Sequence, residues 1–186
     1  MDRENLYYVL FEQQNELKEI DNFVDREITK KVLSFIHLKL PIVITGLRRS
    51  GKSTLLYIIK NRLKLNKKEF LYVNFNDERL VNFSIEDFQK ILDFLNEQNY
   101  KENCYLFLDE IQETQGWEKW IDRIKEKHTI FLTGSNSKLL SKEISTILTG
   151  RSINLSLYPF SFKEFLEAKK TNKENWKVDL KVQSLL

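Results

Sequence analysis

The stretch Gly46-Leu47-Arg48-Arg49-Ser50-Gly51-Lys52-Ser53 decides how the rest of the chain is read. It matches G-x-x-x-x-G-K-[ST] without a mismatch, the pattern of a phosphate-binding loop. The chemistry needs these residues at this spacing. The two glycines allow the turn and a close approach, and successive backbone N–H groups then point inward around a phosphate, aided by the positive end of the following helix. The context fits on both sides. Ile42-Val43-Ile44-Thr45 reads as a short buried strand, and an apolar helix is expected from Lys52 to about residue 64. The nucleotide-contacting set is therefore Gly46, Leu47, Arg48, Arg49, Ser50, Gly51, Lys52, Ser53 and Thr54. Within it Lys52 reaches the β- and γ-phosphates and the Ser53 hydroxyl ligates Mg²⁺. Arg48 and Arg49 carry side chains expected to point away from the phosphates.

Working outward, the next informative run is Tyr105-Leu106-Phe107-Leu108-Asp109-Glu110. An apolar strand ending in a carboxylate is the Walker B pattern. Asp109 is the candidate Mg²⁺ ligand, directly or through water, and Glu110 the candidate to orient or deprotonate an attacking water. Between the two motifs, Phe70 to Phe75 reads as an additional strand, and Ser84 with Asp87 has the spacing of a capping box that opens a helix. A fourth strand, Thr129 to Thr133, ends at Gly134-Ser135-Asn136. Ser135 or Asn136 is the candidate contact to the γ-phosphate or the water, and the sequence does not choose between them. Arg151 precedes a fifth strand, 152–157, and is the candidate electrophile, as a sensor in the same chain or a finger supplied in trans. Ser161 with Glu164 caps a last helix. Trp117 and Trp120, at helical spacing, read as core.

Strands alternating with helices at these intervals predict an α/β fold, with a parallel sheet covered on both faces. Ligands then bind at the carboxyl ends of the strands, which puts Gly46, Asp109 and Ser135 on one edge. The expectation is a three-layer α-β-α P-loop NTPase, its five-stranded, mainly parallel sheet in the additional-strand order 5-1-4-3-2. The domain reading is an N-terminal helical segment (1–38), an ATPase domain (39–168) and the start of a truncated C-terminal region (169–186). In the first segment Phe23, Ile28, Val32, Phe35 and Ile36 fit one or two amphipathic helices.

Composition sets the bounds. The chain has 186 residues, 41% hydrophobic and 31% charged, ordinary for one globular domain. The 30 basic and 27 acidic residues leave a net charge of +3, which does not by itself argue for nucleic acid. The lysine-rich stretch from Lys60 to Lys68 reads first as the solvated face of a helix. The single cysteine, Cys104, excludes a disulfide framework and a zinc cluster, and its apolar neighbours mark it as a buried thiol. No signal peptide and no membrane-spanning run are visible, so a cytoplasmic protein is expected.

These segments, extended through Tyr72 to Leu80, Phe131 to Leu140, Leu148 to Arg151 and Tyr158-Pro159-Phe160-Ser161-Phe162-Lys163-Glu164-Phe165, resemble the prokaryotic AAA-like ATPases near the archaeal-type and signal-transducing (STAND-like) group. The likeness spans roughly residues 30 to 168. It implies ATP and Mg²⁺ as ligands, ADP as product, and an ATPase module followed in relatives by a winged-helix-like segment and a C-terminal domain, often nuclease-like. A homo-oligomer or a protein partner, and an association with DNA, enter through the resemblance and not through charge. The expected activity is Mg²⁺-dependent ATP hydrolysis that drives a conformational switch. The alternative is a nucleotide-gated regulatory module with little intrinsic hydrolysis. A kinase lid rich in arginine is missing, and Asn66-Lys67-Lys68-Glu69 lies in the wrong place to read guanine.

Overall fold

The protein is described by a computed structural model that covers residues 1–16, 23–135 and 151–171. Five strands form the centre: β1 (Ile42–Gly46), β2 (Phe70–Asn74), β3 (Tyr105–Asp109), β4 (Thr129–Ser135) and β5 (Ile153–Leu157). All pair in parallel, in the order β2-β3-β4-β1-β5. This is the expected additional-strand order read from the other edge. It places β4 between the strand that feeds the phosphate loop and the strand that ends at Asp109.

The helices are α1 (Arg3–Glu16), α2 (Ile28–Ser34), α3 (Lys52–Arg62), α4 (Phe88–Glu97), α5 (Trp117–Ile124) and α6 (Phe162–Thr171). Strand side chains alternate between two cores, which is why the strands read as nearly continuous apolar runs. Val43, Leu71, Val73, Leu106, Leu108, Ile130 and Leu132 join α1, α4 and α5 in one cluster. Ile42, Ile44, Phe70, Tyr72, Phe107, Phe131, Leu155 and Leu157 join α2 and α3 in the other. Phe88 stacks on Trp120 with ring centroids 4.5 Å apart, and Trp117 is 2% exposed, so both tryptophans are core as expected. Full burial of such a side chain contributes about 1.5–3 kcal/mol.

Both capping boxes form. Asp87 Oδ2 accepts from Ser84 N and Oγ, and Glu164 Oε2 accepts from Ser161 N. The Ser84 box opens a short 3₁₀ turn, Ile85–Asp87, and α4 begins one residue after it. The helix expected near Lys138 to Glu143 lies outside the described residues.

The N-terminal segment differs in detail from the sequence reading. Phe23 precedes α2 and packs edge-on to Tyr57 at 5.7 Å. In α1 the buried positions are Leu6, Val9, Leu10 and Gln13, a helical stripe whose last member is an amide. That amide has a function in the fold. Gln13 Oε1 accepts from Asn74 N at 2.9 Å, while its Nε2 donates to Asn74 O at 3.1 Å. Gln14 does the same one step back, with Tyr72 N at 3.0 Å and Phe70 O at 2.8 Å. The two side chains act as a substitute neighbour for the edge strand β2 and close an edge that would otherwise be open to pairing. Changing both to Ala should cost about 1–3 kcal/mol, read as a lowered urea midpoint. It should also promote self-association in sedimentation velocity runs.

No described helix is long and apolar enough to cross a membrane.

Candidate functional site

The site is built at the carboxyl edge of the sheet. Gly46 ends β1 opposite Ser135 of β4, and Asn74 ends β2 opposite Asp109 of β3. Between β1 and α3 the chain turns through Leu47, Arg48 and Arg49, all exposed, with Ser50 N donating to Leu47 O at 3.1 Å. Arg49 and Gly51 take positive φ, +66° and +93°. Gly51 heads α3 with no side-chain cap, so the first N–H groups of that helix are left for a ligand. Gly46 is required for closeness: a Cβ there would sit 2.4 Å from Leu157 O and 2.7 Å from Ser50 Oγ.

Lys52 and the two carboxylates converge. The Lys52 ammonium, 5% exposed, lies 3.3 Å from each of Gly46 O, Leu47 O and Glu110 Oε1. Glu110 is an L-residue held at φ +51°, between β3 and a 3₁₀ turn, a conformation that tends to persist where surrounding structure enforces it. Its other oxygen accepts from Gln112 Nε2 at 2.6 Å. Asp109 is 2% exposed on the face of the sheet that carries α3. Tyr72 OH donates to its Oδ2 at 2.9 Å, and Thr133 Oγ1 donates to its Oδ1. Thr133 Oγ1 also accepts from Glu110 N at 3.2 Å, so one hydroxyl links both carboxylate residues.

Sequence reasoning missed Thr133 and Tyr72. It looked to Ser135 and Asn136, at and past the end of β4, whereas the hydroxyl at the carboxylates lies two residues earlier, at Thr133. Strand register could have found it, since Leu108 pairs with Leu132 and the next pair is Asp109 with Thr133. Tyr72 shares its sheet face with Phe107 in the next strand, and alternation carries that face on to Asp109. Ser135 ends β4 beside Gly46, and Asn136 lies outside the described residues.

Arg151 is not brought to the site within one chain. It precedes β5 and so lies at the opposite edge of the sheet, about 15 Å away for a five-residue strand. There it is 62% exposed and 3.8 Å from Asp122 Oδ1. Ser53 is exposed and Thr54 half-buried at the start of α3. Asp77 serves the fold: Arg79, chiefly, and Gln13 hold its carboxyl at about 2. Cys104 is fully buried, and burial pushes its thiol up to about 12. Lys60, in α3, sits over the Tyr57 and Phe70 rings, whereas Lys68 lies in the turn before β2, over Tyr100, so the lysine-rich stretch is helical only as far as Arg62.

No group of three or more His, Cys, Asp or Glu stands ready to hold a metal among the described residues. Asp109 with the Ser53 hydroxyl would suit Mg²⁺, which is usually held by one or two carboxylates together with substrate phosphates and water. The buried ammonium and the uncapped helix start suit a phosphate chain.

Comparison with known proteins agrees with this architecture. A family model described as an AAA domain matches residues 38–166. The uncharacterized protein MJ1544 of Methanocaldococcus jannaschii is 45% identical over 132 residues, covering 70% of this chain and 29% of its own. An uncharacterized protein of Haemophilus influenzae is 36% identical over 166 residues, covering 86% and 40%. The chain thus spans well under half the length of these relatives. Among solved structures, RIF2 of Saccharomyces cerevisiae aligns with a TM-score of 0.54 at 11% identity, over 96% of this chain and 72% of that one, a likeness of fold alone. With the phosphate loop, the all-parallel five-stranded sheet and the family match in agreement, the chain belongs to the AAA-domain family of P-loop proteins.

Proposed function

We propose that the chain binds ATP with Mg²⁺ and hydrolyses it, the cycle driving a conformational switch. The observation that carries this reading is the meeting of Lys52 and Glu110 at 3.3 Å, beside a buried Asp109, at the mouth of the loop. The backbone from Gly46 to Ser53 and the Lys52 ammonium bind the phosphates. Ser53 and Asp109 would hold the metal ion, which would neutralise charge on the phosphates. Asp109 would meet the ion directly or through water, and Tyr72 and Thr133, each donating to one of its oxygens, fix the carboxylate's orientation. Glu110 orients the attacking water and takes its proton. Glu110 is paired with Lys52. A γ-phosphate competes for that ammonium and releases Glu110 toward water.

A second reading, slow hydrolysis completed by a neighbouring subunit, is favoured by the place of Arg151 at the far edge of the sheet. One experiment tests both. Phosphate release is followed with Mg²⁺ and with EDTA over a range of protein concentrations, beside competition of ATP and GTP for a fluorescent ADP analogue. Mg²⁺-dependent release and displacement by ATP but not GTP are expected. Specific activity that rises with concentration assigns a group in trans; a constant value assigns a site complete in one chain. A protein that binds no nucleotide overturns the proposal.

A further inference from the structure

Two buried charges lie outside the site and yet hold its loop. Arg26, 6% exposed, precedes α2, and Glu164, 5% exposed, lies in the first turn of α6. Arg26 Nε donates to Glu164 Oε1 at 3.0 Å. Its Nη1 donates to Ser50 O, inside the phosphate loop, at 2.9 Å, and its Nη2 to Tyr158 O, just past β5, at 2.6 Å. The guanidinium also stands 4.8 Å over the Phe160 ring. Glu164 is held in turn by Glu27 N and Ser161 N, each at 2.8 Å. Burial pushes the Glu164 carboxyl up, but these backbone donors and Arg26 outweigh it and hold it below the usual range. One planar fork therefore ties together the N-terminal segment, the loop, the exit of β5 and α6.

A buried ion pair is weak evidence of stability, because desolvation offsets the attraction and a packed apolar pair often does as well. What the fork supplies here is direction. A trans peptide sets the N–H opposite the carbonyl. Fixing Ser50 O on Arg26 therefore fixes the heading of Gly51 N–H, a member of the phosphate-cradling run at the head of α3. The fit is close, since a Cβ on Gly51 would stand 3.3 Å from Arg26 Nη1. Lysine offers a point charge and cannot reproduce three separate contacts.

We infer that Arg26 is a positioning residue that presets the phosphate loop, and that Glu164 couples this setting to α6, so that phosphate binding and the placement of α6 bias each other. The inference rests on the nucleotide reading above, and such coupling is reciprocal. It makes α6 the route by which the state of the loop reaches whatever follows it.

The test uses the full chain and three variants: Arg26→Lys, Glu164→Gln, and the double Arg26→Gln/Glu164→Gln, which strands no buried charge. Affinity for fluorescent ADP, KM and kcat for phosphate release, the unfolding midpoint without nucleotide and hydrogen exchange of 162–168 with and without ADP are measured. Arg26→Lys and the double variant should unfold cooperatively and bind ADP roughly tenfold or more weakly, the scale of a lost charge-assisted hydrogen bond. KM should rise by more than kcat falls. In the wild type ADP should slow exchange in α6, and in the double variant that effect should vanish, which a purely structural role would not produce. A cooperatively folded double variant with wild-type ADP affinity, or the same ADP effect on α6, overturns the coupling and leaves nucleotide binding standing. Failure of the wild type to bind ADP overturns both.

Discussion

Glu110→Gln should retain MgATP and release phosphate about 10²–10⁴-fold more slowly, the range for loss of a positioned general base. The substitution keeps size and hydrogen-bonding shape, so the left-handed turn at Glu110 and the contact of its backbone N–H with Thr133 should survive. What disappears is the capacity to take a proton and the charge facing Lys52 at 3.3 Å. Losing that charge leaves Lys52 uncontested for the γ-phosphate, so affinity for ATP should hold or increase while turnover falls. Glu110 is about a quarter exposed, so the pair contributes little to stability and the unfolding midpoint should barely move. Fluorescent-nucleotide titration separates binding from chemistry, and single-turnover phosphate release reads the step itself. Release at the wild-type rate would remove Glu110 from the mechanism. Lost binding would instead assign it to the phosphate cradle.

The parts of this site that were legible in the sequence are those whose chemistry is local. The loop demands a strand before it and a helix after it, and both are written in consecutive residues around Gly46 to Ser53. The carboxylates close an apolar strand, and the strand at Phe70 between the two motifs points to the order found, with β4 between β1 and β3. The parts that were not legible depend on contacts between distant segments. Arg26 is a lone arginine in a polar stretch, and nothing nearby announces that it is buried or that its partner is Glu164. The Ser161–Glu164 spacing announced a cap and was one, but the same carboxylate also receives Arg26. Gln13 and Gln14 look like solvated helix residues until β2 is known to be an edge strand lying beneath them. Arg151 could have been judged from direction alone. A residue that enters a parallel strand lies at the edge opposite the loop, which makes a contact in cis the weaker of the two roles offered for it.

Lys52→Met should abolish the response to nucleotide while leaving the nucleotide-free protein at least as stable as the wild type. The ammonium is 5% exposed, and its contacts to Gly46 O, Leu47 O and Glu110 Oε1 are all 3.3 Å. Good charge-assisted contacts are about 2.7–2.9 Å. A buried cation held this loosely regains little of its desolvation cost, which can reach several kcal/mol per ion. Methionine has nearly the same length, adapts to irregular space and carries no charge to desolvate. It leaves Glu110 with Gln112 and solvent, a small cost for a partly exposed carboxylate. The wild type behaves differently once a phosphate chain arrives, because the ammonium then gains a doubly charged partner at close range. At 100 times Kd a bound nucleotide adds about 2.7 kcal/mol of stability. For a chain of this size that is a rise in Tm of about 5–10 °C. Differential scanning fluorimetry with and without MgADP reads both halves of the prediction in one experiment. The variant should begin at or above the wild-type Tm and show no rise with ligand. A variant that rises as the wild type does would mean that the backbone of the loop alone holds the phosphates. One that begins many degrees lower would mean that the Lys52–Glu110 contact is part of the folded core and not a poised element of the site.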